Sequence, residues 1–96
     1  MSSSGGAKKK IGLPTDKTLQ QAVKISIKTA KPICFYFYVD SLKGNCSICS
    51  DGEDKIIFKN SEEHTSPILN TYKCDSEYII ITDNTVYIIS ACTKVN

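Results

Sequence analysis

Cys46 and Cys49 stand three residues apart, and with His64 and Cys74 they are the side chains best suited to hold a zinc ion. Zinc takes four thiolate or imidazole donors at tetrahedral corners. The spacing works against such a site. Residues three apart on a regular strand point to opposite faces, so this pair chelates only where the strand bends. No second Cys-x-x-Cys exists to complete a set. A redox pair would want a helix N-terminus, where a thiolate is stabilised, and this stretch does not read as one. The chemistry therefore predicts no metal and no cofactor. Cys34, Cys46, Cys49, Cys74 and Cys92 read instead as free thiols in or near strands, behaving as small hydrophobes. An odd count with no recognisable signal peptide argues against a disulfide framework.

Catalysis by a Cys–His pair would require His64, the single histidine, which sits in the polar run Glu62-Glu63-His64-Thr65. The carboxylates Asp51, Glu53, Asp54, Glu62 and Glu63 flank turns, where acids belong in any case. Gly5-Gly6 lies in a Ser/Gly/Lys-rich stretch and is no phosphate cradle. The sequence predicts no enzyme.

The elements that would position these side chains form a single domain. A chain of this size buries only about 60–65% of its unfolded surface, so good packing or a partner must supply the rest of its stability. The net charge of +2 is too small to argue for nucleic acid on total charge. No apolar run approaches the ~18 residues of a membrane helix, so no membrane insertion is expected. Ser2 follows Met1 where myristoylation needs glycine, and Thr93-Lys94-Val95-Asn96 is not a prenylation box. All twelve basic residues are lysine, a bias of AT-rich coding rather than of function.

Residues 1–14 read as a tail, rich in Ser, Gly and Lys, that is flexible or lies on a partner. Pro14-Thr15-Asp16 opens a helix, with Thr15 or Asp16 as N-cap. Leu19, Ala22, Val23, Ser26, Ile27 and Ala30 fall on one stripe and predict its core face, with Ile25 off it. Pro32 ends the helix. Ile33 to Val39 alternates as a strand, with Ile33, Phe35, Phe37 and Val39 on the core face and Cys34, Tyr36 and Tyr38 on an amphipathic face whose tyrosines pack on the helix or on a partner. Strands follow at about 45–50 and 53–59, joined by the Asp51-Gly52 turn, with Ile56 and Phe58 inward. Residues 66–72 make a weaker strand that Pro67 places at an edge. Tyr78-Ile79-Ile80-Ile81 and Val86-Tyr87-Ile88-Ile89 form a hairpin around Thr82-Asp83-Asn84-Thr85, apolar on both faces. The expected fold is α+β. One N-terminal helix precedes a five- or six-stranded antiparallel meander that closes into a small SH3/Sm-like barrel over 15–92, and 93–96 trail as a C-terminal tail.

A helix ahead of short antiparallel strands that end in a tight hairpin, Glu77 to Ser90, resembles the Sm-like RNA-binding proteins in order and length. That resemblance implies a nucleic-acid-binding barrel. The acidic tip Asp83-Asn84 and the absence of arginine depart from the family's pattern. The Lys-only, Ile-rich composition, with runs such as Lys31-Pro32-Ile33, Thr65-Ser66-Pro67-Ile68 and Glu77-Tyr78-Ile79-Ile80, resembles the short proteins of large nucleocytoplasmic DNA viruses. What this second resemblance implies is a minor capsid or cement protein. It would be found in the virion, and in the host cytoplasm during assembly, with other capsid or virion proteins as partners, whereas an oligomeric ring would go with the Sm-like resemblance. The residues expected to meet a partner are Lys8, Lys9, Lys10, Ile11 and Leu13 of the tail, Tyr36 and Tyr38 of the first strand, and Pro67.

Overall fold

The computed structural model describes residues 13–96. Helix α1 spans Asp16–Thr29. Strand β1 (Ile33–Cys34) and a short helix α2 (Tyr38–Leu42) follow. Then come β2 (Ser47–Asp51), β3 (Asp54–Asn60), β4 (Glu63–His64), β5 (Asn70–Cys74), β6 (Glu77–Ile81), β7 (Val86–Ser90) and β8 (Lys94–Val95). The strands make two four-stranded sheets, ordered β1-β7-β6-β5 and β4-β3-β2-β8.

The β6–β7 hairpin is the middle layer of the molecule. Its register runs from Glu77 opposite Ser90 to Ile81 opposite Val86. Because side chains alternate along a strand, one face carries Ile79, Ile81, Val86 and Ile88, which pack with Ala22 of α1 and Tyr38 of α2. The other face carries Ile80 and Ile89, which meet Phe37, Cys46, Ile48 and Ile57 over the second sheet. Helices, hairpin sheet and second sheet therefore stack as three layers with two cores. Ile79, Ile80, Ile88 and Ile89 are fully buried, each contributing roughly 1.5–3 kcal/mol.

Among the described residues neither sheet closes into a barrel. A hairpin covered on both faces is an inner wall of a stack, and a barrel wall would leave one face outside. The antiparallel meander is also incomplete. The outer strands β1 and β8 pair in parallel with β7 and β2. Residues 93–96, expected as a tail, include β8, and the Asn96 N–H donates to the Ile48 carbonyl.

The first strand is much shorter than its alternation predicts. It stops at Cys34, and the chain turns through Phe35–Phe37 into α2, leaving Phe35 and Val39 exposed rather than inward. The reason lies at the end of β7. The Ser90 N–H donates to the Ser41 hydroxyl at 2.8 Å, so α2 satisfies with a side chain what a longer strand would satisfy with a carbonyl. The turn also places Phe37 in one core and Tyr38 in the other. In β3 the fully buried residue is Ile57, beside Ile56, whereas Phe58 is half-buried. The expected strand over 66–72 begins only at Asn70, so exposed Pro67 lies in the connection ahead of β5.

Candidate functional site

The Thr15 side chain caps α1 by accepting from the Thr18 N–H at 3.4 Å. In a capping box the third helical residue is Glu or Gln and reaches back to the N-cap N–H. Here that residue is Thr18, and Glu77 on β6 takes the role from across the fold. The Thr15 N–H donates to Glu77 Oε1 at 3.4 Å, and the Thr18 hydroxyl donates to the same oxygen at 2.6 Å. Thr18 Oγ1 also lies 3.0 Å from the Cys74 carbonyl, and Thr15 Oγ1 lies 3.0 Å from Asp75 Oδ2. Tyr38 points its hydroxyl between Glu77 Oε2 (3.4 Å) and the Leu13 carbonyl (3.2 Å). Burial, then the Glu77 charge, raises the Tyr38 phenol above its ordinary value. Glu77 is buried, and among the described residues no lysine pairs with it. Its charge rests on hydroxyls and on the positive end of the α1 dipole.

This network sets how α1 is rotated. Thr18 and Ala22 are its buried residues, with Leu19 and Ile25 packed partly against the core. Of the stripe expected to be core, Ala22 is buried and Leu19 packs partly on the core, while Val23 and Ile27 are turned outward, so the buried face is centred about a quarter turn of helix away. Val23 is 47% exposed and Ile27 77%. Gln20, Lys24 and Lys28 run along one side of that apolar line, and Lys17 lies farther round. A shallow concavity forms over Leu19, Gln20, Val23 and Lys24. Between α1 and β5–β6 a groove of about 480 Å³ has Ile25, Cys74 and Ile79 in its lining, with Lys17, Lys73 and Tyr72.

Lys8, Lys9, Lys10 and Ile11 lie outside the described residues. Leu13 is exposed, beside the Glu77 network. Tyr38, expected to pack on the helix or on a partner, packs on the helix side: it is buried in one core with Ala22, its hydroxyl turned to Glu77. Tyr36 is exposed in a separate cluster. It donates to Glu63 Oε1 at 2.8 Å, while the Lys59 ammonium bridges Asp40 and Glu63 at 3.3 Å each. The Tyr36 hydroxyl and then Lys59 hold the Glu63 carboxyl below its ordinary value. The structure thus joins Leu13 to Tyr38 but gives Tyr36 and Pro67 surroundings of their own.

The zinc-type residues are not gathered. Cys46 is buried near the Phe37 carbonyl (3.8 Å), and burial pushes its thiol up to about 11. Cys49 faces Ser47 Oγ (3.1 Å) and Asn96 Nδ2 (3.6 Å). His64 stacks on Phe58, and Cys74 belongs to the other sheet. Among the described residues no three of His, Cys, Asp and Glu come together as a metal site. No helix among them is long and apolar enough to cross a membrane.

The helix face was missed from sequence because a stripe of aliphatics was read as core. One signal was available in the distribution of charge. Residues 1–31 carry seven lysines against Asp16 alone, whereas residues 32–96 carry five lysines against nine acids. The small net charge conceals this division. Comparison with known protein families, curated proteins and solved structures finds no match.

Proposed function

We propose that this protein is a non-enzymatic docking module, a minor capsid or cement component of a large double-stranded DNA virus that acts through protein–protein contacts. The observation that carries the docking part is the outward pair Val23 and Ile27 on α1, next to half-buried Leu19, with Lys24 and Lys28 along one side. A monomer gains nothing by exposing aliphatics in a row on its principal helix, whereas a partner surface that is apolar with an acidic rim covers them favourably. The viral part rests on the resemblance in composition and in the short runs quoted above. Mass spectrometry of purified virions tests it: the protein is expected in the particle at a fixed ratio to the major capsid protein, and its absence would sink the reading.

A second reading, a nucleic-acid-binding module, draws on the lysine density of residues 1–31. The apolar line suits it poorly, because α1 carries no aromatic residue on which a base could stack. Filter binding of single-stranded RNA and DNA at low salt decides it, and no retention removes it.

A further inference from the structure

We infer that the outward face of α1 docks on an acidic groove of a second copy of this chain. The inference rests on the docking reading above and names its partner. The groove, of about 360 Å³, lies where the β2–β3 hairpin meets the start of β5. Leu69, 54% exposed, and half-buried Ile68 give it apolar surface over the buried Ile48 at its floor, and Glu53 and Asp54 stand at its rim beside Lys55. Asp51 flanks the same turn.

The two surfaces are complementary in both respects that matter. The helix offers aliphatics with Lys24 and Lys28 alongside, and the groove offers aliphatics with Glu53 and Asp54 alongside. Apolar surface against apolar surface supplies affinity, while opposite charges on the two rims set orientation and disfavour wrong partners. The larger pattern agrees, since the excess of lysine lies in residues 1–31 and the excess of acid in residues 32–96. The chain's own first residues are a poor cover for the helix, because Lys8, Lys9 and Lys10 would be brought toward Lys24 and Lys28.

Sedimentation equilibrium of the full chain tests the contact. Mass above the monomer's is expected, rising with concentration and falling in high salt as the rim charges are screened. Lys24→Glu with Lys28→Glu, and separately Glu53→Lys with Asp54→Lys, should each weaken association at least tenfold. All four positions are exposed, and circular dichroism confirms that each variant is folded. Mixing the two variants should restore association, since each reversed rim then faces an opposite one. A wild-type chain that stays monomeric, or association indifferent to both variants, overturns the inference. If the monomeric chain is found in virions and Ile27→Glu loses its place there, this inference falls and the docking reading stands. If Ile27→Glu is incorporated normally, the helix face is not the docking surface, and both fall.

Discussion

The hydroxyl of Thr18 donates to the carboxylate of Glu77 across 59 positions of chain, at 2.6 Å and out of solvent. That bond fixes which side of α1 faces the hairpin sheet. A polar residue occupies the buried face, and the aliphatics Val23 and Ile27 are turned away from it.

Thr18→Val keeps the shape and removes the donor. A buried carboxylate that loses its shortest hydrogen bond costs about 1–3 kcal/mol, so urea unfolding should show a loss near ~2 kcal/mol. Glu77→Gln keeps an acceptor for Thr18 and should cost less. Glu77→Met removes the acceptor outright; it and Thr18→Val act on one bond, so that double variant should fall short of additivity by about 1 kcal/mol. Strict additivity would mean that Thr18 and Glu77 stabilise the fold independently.

Ala30 closes α1 in the left-handed region, at φ 58°, with its N–H donating to the Ser26 carbonyl. A Cβ is disfavoured there and glycine is the residue of choice. Ala30→Gly is therefore expected to stabilise the protein, by about 0.5–1 kcal/mol in chemical denaturation. A loss of that size would show that the helix ends in a different conformation.

Cys46 gives an alkaline limit to stability. Its folded value, raised by burial to about 11 from an ordinary 9.0, means that the fold prefers the neutral thiol. That preference is fully present below the unfolded value and is lost as pH rises from about 9 toward 11. The loss amounts to about 2–3 kcal/mol, and the raised phenols of Tyr38 and Tyr87 add to it in the same direction at higher pH. Unfolding midpoints across that range should fall for the parent and fall less for Cys46→Val. Labelling under native conditions should reach exposed Cys92 well before Cys46.

The hairpin was legible because Tyr78–Ile81 and Val86–Ile89 are β-branched and aromatic runs around a turn-forming Asp-Asn, a local signal that needs no partner. The helix and its Thr15 cap were legible for the same reason. What the sequence did not disclose depended on residues far apart in the chain. The stripe Leu19-Val23-Ile27 obeys helical spacing whether it faces the core or the solvent, and Glu77, distant in sequence, decides between them. Ile33 to Val39 alternates like a strand, yet the use of Ser41 to cap Ser90 ends it after two residues. The parallel strands β1 and β8 are too short to carry any pattern. Of the residues expected to meet a partner, Tyr38 takes the other course and packs on the helix side, and its phenol alone gives no hint that Glu77 and Leu13 await it there.

The rotation of α1 is the claim on which the docking surface depends, and the unfolding free energy of Ile27→Lys tests it most directly. With Ile27 facing solvent, the substitution should change stability by no more than about 0.5 kcal/mol, while Ala22→Asp at the buried position unfolds the protein. A loss of about 2 kcal/mol or more for Ile27→Lys, as expected of a core isoleucine, would contradict the rotation and remove the docking surface with it.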